Sequence, residues 1–155
     1  MIVIQDRLVG NHCYGCGKDN PSGLRIKSHW DGSVAVCRYT PRPEQCAGPT
    51  NYLYGGTIAS VIDCHSVGTA IAHFYASESR EVGEGAEIWC VTGKLSVSYL
   101  KPTPIDAPVE MTARVVESSE RKAVVHTSLA SGGTVTAEAQ VIAVRVPEDW
   151  RAGSA

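Results

Sequence analysis

No apolar run in this 155-residue chain approaches the roughly 18 residues that a membrane-spanning helix needs. A concentrated basic patch, the footprint of a nucleic-acid surface, is also missing: the net charge is −2 and both signs are scattered. The opening Met1-Ile2-Val3-Ile4-Gln5-Asp6-Arg7 meets charge too early for the apolar stretch of a secretory signal. There is no internal repeat and no low-complexity segment. Together these absences point away from membrane and nucleic-acid partners and set the expectation of a cytoplasmic protein. What remains is a length that fits one domain, expected over residues 1–155, and an apolar share of 43%, enough for a substantial core.

The six cysteines are Cys13, Cys16, Cys37, Cys46, Cys64 and Cys90. Without a secretory signal, a disulfide framework is not expected. Cys37, Cys64 and Cys90 sit in apolar segments, where a free thiol behaves as a small hydrophobe, so all six are read as reduced. Cys13 and Cys16, with His12 beside them, resemble half of a zinc site. A structural zinc ion wants four ligands, and no second Cys pair exists, so no metal is expected. A redox Cys-x-x-Cys belongs before a helix in a βαβ setting, which is also missing.

Residues 10–23 are rich in Gly, Asn, Asp and Pro, the residues of turns, and residues 1–32 are expected to be mostly loop. A strand is predicted over 33–40, stopped by Pro41 and Pro43. Residues 55–75 contain no proline, and their apolar side chains point in nearly every direction at 100° per residue, the mark of a buried helix. Alternating patterns predict strands over 87–101, 109–117, 123–129 and 134–146. The charged turn 118–122 and Ser131-Gly132-Gly133 supply hairpin connections. Short turns imply an antiparallel meander. Val135, Ala137, Ala139, Val141 and Ala143 share one face of the last strand, small enough to let a helix lie close. The tail from residue 147 is expected to fray.

Three segments now stand out. Cys13-Tyr14-Gly15-Cys16-Gly17-Lys18-Asp19-Asn20-Pro21-Ser22-Gly23-Leu24 follows the pattern C-x-x-C-G-x-x-N-P-x-G-L. Tyr54-Gly55-Gly56 is followed by Asp63. Thr92 precedes Ser98-Tyr99-Leu100-Lys101-Pro102. In this order they resemble the PaaI-like acyl-CoA thioesterases, in the branch carrying that N-terminal motif. The resemblance implies an α+β hotdog fold, an antiparallel sheet wrapped around one long central helix. It also implies an acyl-CoA substrate, no cofactor beyond the CoA of that substrate, and a homodimer or dimer of dimers. The histidine usual before the two glycines is replaced here by Tyr54, a departure that bears on rate and substrate class rather than on fold.

Thioester hydrolysis requires an activated water or a nucleophile, and stabilisation of the developing oxyanion. Gly55 and Gly56 open the helix, where free N–H groups and the positive dipole end suit an oxyanion; the plain structural reading is a glycine turn. Asp63, in mid-helix among small residues, is the candidate general base or nucleophile; otherwise it is a buried carboxylate with a structural partner. Gly56 and Asp63 stand seven residues apart, roughly 10 Å along a helix. One carbonyl cannot sit against both, so the site is expected to combine Gly56 of one subunit with Asp63 of its twofold partner. Thr92 matches the strand hydroxyl that holds the acid or the water, or is an ordinary strand residue. Asn51, Ser66 and Val67 are expected to line the substrate. Lys101, Arg121 and Lys122 are candidates for the CoA phosphates, with solvated turns as the alternative. His65, two residues from Asp63, projects about 200° away and forms no dyad with it. A non-catalytic acyl-CoA or small-ligand binding protein is the competing function; the motif of a hotdog dehydratase is not found.

Overall fold

The computed structural model describes residues 1–152. Among the described residues, seven strands form one antiparallel sheet against one α-helix. In chain order they are β1 (Ile2–Val3), β2 (Ser28–Trp30), β3 (Val34–Tyr39), α1 (Gly55–Ser77), β4 (Cys90–Tyr99), β5 (Val109–Ser118), β6 (Lys122–Ser131) and β7 (Thr134–Arg145). Across the sheet the order is β1-β2-β3-β5-β6-β7-β4.

The core lies between the sheet's inner face and α1. Period-2 alternation turns Ala35, Cys37, Val109, Met111, Ala113, Ala123, Val125 and Leu129 inward. From the helix come Ile58, Val61, Ile62, Ile71, Phe74 and Tyr75, all nearly inaccessible. Each such side chain contributes about 1.5–3 kcal/mol on burial. Ala137, Ala139 and Ala143 of β7 are buried as expected and let α1 come close. Val135 differs: it is 38% exposed while Thr136 is 3% exposed. The β6–β7 register slips between Leu129 and Ala130, and the extra residue reverses the alternation at the start of β7.

Expectation and structure part in the strand order. β5, β6 and β7 form the predicted meander, and Gly132 and Gly133 turn its last hairpin with φ of 56° and 79°, the left-handed pair of a type I′ turn. β4, however, is not the meander's neighbour to β5. It lies beyond β7 as the sheet edge, and residues 100–108 cross back to β5. Pro102 and Pro104 end the strand. The crossing is then pinned by Leu53 N–H on the Thr103 carbonyl at 2.8 Å and by the Thr103–Thr136 hydroxyl pair at 2.8 Å. Within β4 the register to β7 also shifts between Thr92 and Lys94, leaving Gly93 unpaired. Residues 1–32 are largely loop and hold two short strands. A buried relay joins this segment to the helix: Gln5 Nε2 donates to Ser28 Oγ at 3.1 Å, which meets His65 Nδ1 at 2.8 Å. At the other end, Glu148–Ala152 forms a short 3₁₀ turn. Arg151 holds it there, through Glu87 and the Val9 and Gly10 carbonyls. Residues 153–155 lie outside the described residues.

Candidate functional site

One stripe of α1 is not covered by the chain's own sheet. Gly56, Ser60, Asp63 and Val67 recur at the spacing of a single helix face and are all half-buried. Asp63 is its one ionisable group. Thr92 Oγ1, from the edge strand, donates to Asp63 Oδ1 at 2.6 Å, the short length of a hydroxyl on a charged acceptor. Burial pushes the Asp63 carboxyl above the usual carboxylate range; the Thr92 bond opposes this and negative charge at Cys13 adds to it. A carboxylate with one oxygen held, raised toward neutrality and set on an open stripe, is equipped to take a proton from water.

The helix N-terminus lies one end of the stripe away. Tyr54 is the N-cap and supplies no side-chain cap. Its carbonyl takes the amides of Thr57 and Ile58 at 3.0 and 3.1 Å, so the Gly55 and Gly56 N–H groups have no acceptor among the described residues. The Tyr54 ring lies over Gly56: a Cβ there would fall 2.3 Å from the ring. Tyr99 closes the other side, its hydroxyl donating to the Gly55 carbonyl at 2.7 Å. Tyr54, Tyr99 and Leu100 are each more than half exposed, an apolar rim around two unpaired amides. The sequence does not reveal the Tyr99–Gly55 contact, because it joins residues 44 positions apart.

The expected substrate-binding residues do not gather in one chain. Lys101 lines a groove with Gly55, Ile58, Leu53 and Tyr99; Asn51 is exposed nearby, its carbonyl accepting the Ile105 amide at 3.1 Å. Arg121 lines a cavity with Phe74, Glu78 and Arg145, and Lys122 follows it at the start of β6. That cavity is at the C-terminal end of a 23-residue helix, about 35 Å long, away from both Asp63 and Gly55. Ser66 requires correction. It is fully buried, donates to the Ile62 carbonyl at 2.7 Å and meets Thr127 Oγ1 at 2.7 Å, so its hydroxyl serves the helix–sheet contact. Ser66 precedes Val67 by one position, about 100° around the helix, which carries it off the open stripe and onto the sheet. Val67 stays on the stripe. His65 is fully buried, as expected of a packing histidine.

A group of thiols also lies beside the stripe. The loop of residues 10–24 folds over α1 so that Cys13 Sγ stands 3.6 Å from Cys64 Sγ, with Cys16 Sγ in the same group. Hydrogen bonds from Cys16 and then Cys64 hold the Cys13 thiol far below its ordinary range. The ligand count behind the expectation of no metal was two cysteines; Cys64 is a third, brought in from 51 residues away.

With this geometry in hand, the profile of the thioesterase superfamily matches residues 50–138, the span from before α1 into β7. The chain belongs to the thioesterase superfamily. A thioesterase superfamily protein from Shewanella loihica is similar over 88% of this chain and 96% of its own, at 34% identity and a TM-score of 0.63. A conserved protein of Pseudomonas aeruginosa is 21% identical over 79% of this chain and 90% of its own, TM-score 0.60. The PaaI protein from the phenylacetic acid degradation operon of Escherichia coli shares the fold at 18% identity, covering 79% of this chain and 84% of its own, TM-score 0.61. A search of curated proteins finds no match. The sheet around a single long helix is thus the hotdog fold of this superfamily.

Proposed function

We propose that this superfamily member hydrolyses acyl-CoA thioesters at a site made by two subunits, with Asp63 of one chain and the Gly56 N–H of its twofold partner. The observation that carries the reading is the held carboxylate: Asp63, bound at 2.6 Å by Thr92, on the same open stripe as the unpaired amides of Gly55 and Gly56. Seven residues separate Asp63 from Gly56, roughly 10 Å along the helix, too far for one acyl carbonyl. An antiparallel copy of the stripe brings the partner's glycine end to Asp63. Two further features favour such a copy. β4 is an edge strand ten residues long with one side of its ladder unpaired, a surface that chains cover by pairing. The stripe itself is small and half-buried.

In the proposed reaction, the water oxygen attacks the acyl carbon while its proton passes to Asp63. The carbonyl oxygen takes up charge against the Gly56 and Gly55 N–H groups at the positive end of the helix. The carbon–sulfur bond then breaks, its electron pair leaving on the CoA sulfur, which takes up the proton. If Asp63 attacks directly, the same groups serve an anhydride that water then opens. Tyr54 and Tyr99 border the amides and shape the acyl approach; Val67 and Asn51 lie further along the substrate path. Lys101 is placed for a CoA phosphate at the glycine end, and Arg121 and Lys122 at the other end of the helix.

One observation favours a second reading, a binding protein without turnover: the Tyr54 ring occupies the space above Gly56. A free-thiol assay over a panel of acyl-CoA thioesters separates the two. Steady CoA release from at least one thioester is expected. Stoichiometric binding of acyl-CoA with no release across the panel would establish the binding protein instead.

A further inference from the structure

We propose that Cys13, Cys16 and Cys64 bind a thiophilic divalent cation of the zinc class through three sulfur ligands, with the fourth position left to solvent. The three sulfur atoms lie within 4.8 Å of one another, and Cys13 Sγ and Cys64 Sγ are 3.6 Å apart. A tetrahedron with metal–sulfur bonds of about 2.3 Å has edges of about 3.8 Å, so the group closes on an ion with adjustments of about an ångström or less.

The surrounding chain is shaped to hold the sulfurs there. Gly15 lets the loop press onto the helix: a Cβ would fall 2.3 Å from Cys64 Sγ. Gly17 lets the loop close on itself, its N–H reaching the Cys13 carbonyl at 2.8 Å, where a Cβ would fall 2.5 Å from the backbone of Asn11 and Cys13. Asn11, 1% exposed, ties the two loop cysteines together. Its Oδ1 accepts the Cys13 amide at 3.1 Å and its Nδ2 donates to Cys16 Sγ at 3.6 Å. An N–H aimed at a ligand sulfur is what second-sphere groups at metal sites supply. Cys64 sits on a rigid helix, while Cys13 is exposed and opens the site to an incoming ion. Cys37, Cys46 and Cys90 are not in the group. His12, the sequence neighbour that looked like a ligand, is not in it either.

The test is independent of thioester hydrolysis. The fully reduced chain is titrated with Co²⁺ under anaerobic conditions and followed by absorption. One equivalent per chain is expected, with thiolate-to-cobalt charge transfer in the near ultraviolet and the visible bands of a tetrahedral ion, displaced by one equivalent of Zn²⁺. Cys64→Ser should weaken uptake at least tenfold, whereas Cys46→Ser should leave it unchanged. Should Cys64→Ser fail to fold, Cys13→Ser, at an exposed position, carries the same comparison. Absence of stoichiometric charge transfer in the wild-type chain, or a spectrum unaltered by both substitutions, overturns the site. So does a Cys13–Cys64 or Cys13–Cys16 disulfide that persists in thiol reductant and excludes the metal.

Discussion

Asp63 and Thr92 share one short hydrogen bond, and the two ends of it should differ in consequence. Asp63→Asn keeps the shape and removes the base; turnover should fall by about 100-fold or more with an unchanged circular dichroism spectrum, and activity near wild type would remove Asp63 from the mechanism. Thr92→Val removes only the donor and should cost about tenfold, the scale of one hydrogen bond to a charged group. His65, about 200° around the helix from Asp63, bears on stability. Burial lowers its pKa from 6.5 to about 4, with the Ala35 carbonyl pulling the other way. Between those values the unfolded chain binds a proton that the folded chain refuses, so stability falls as pH drops from 6.5 toward 4. The loss is on the order of 3 kcal/mol. The urea midpoint should decline over that window, and His65→Gln should flatten the decline; an equal slope in both proteins would assign it elsewhere. The Thr92–Asp63 contact and the helix start at Gly55-Gly56 were legible because each has a chemistry-bearing side chain, or none, at a fixed place in a motif. Ser66 meets Thr127 of the sheet because it stands about 100° around the helix from Val67, a distinction that loose membership of a helix face does not make.

The helix and the strands facing it were readable from periodicity, since a proline-free run apolar all round and a period of two are what burial imposes. Small residues on β7 set the distance between the two layers. Ala143, fully buried, should not tolerate Leu: the added methylenes must displace α1 or adopt strained rotamers, costing about 1–3 kcal/mol, read as a lowered urea midpoint with an unchanged slope. The same substitution leaving the midpoint in place would mean that the helix does not pack there. What pattern could not supply was the register. A bulge inserts a single residue, and alternation on both sides of it looks regular, so Val135 was assigned to the face that Thr136 occupies. Strand order was equally hidden: β4 lies at the far edge because it pairs with β7, a strand two hairpins further along the chain.

At the scale of the molecule, the separation of Gly56 from Asp63 makes a quantitative demand on assembly. The protein should be a dimer or a dimer of dimers in solution, and a stable, active monomer by light scattering would refute the shared site. Complementation is sharper. Gly56→Ala should fold, because the Cβ meets only the exposed Tyr54 ring, which can swing aside, but the methyl blocks the carbonyl's approach. Co-expressed with Asp63→Asn, it forms mixed dimers in which one site joins the intact Gly56 of one chain to the intact Asp63 of the other. Purified mixed dimers should recover about half of wild-type activity, since one of two sites is whole; no recovery would place both groups in one chain. The same spacing has a counterpart in β4. Thr92 grips Asp63 and Tyr99 grips Gly55, yet the two are an odd number of residues apart, and in an unbroken strand odd-numbered neighbours look in opposite directions. Gly93, the residue without an opposite number on β7, changes the parity. It works as a frameshift written in backbone: upstream of it the strand is in one frame, downstream in the other, and only by changing frame does a single strand keep hold of both ends of the stripe. Deleting that one glycine would leave every side chain in the sequence intact and still force the strand to choose between them.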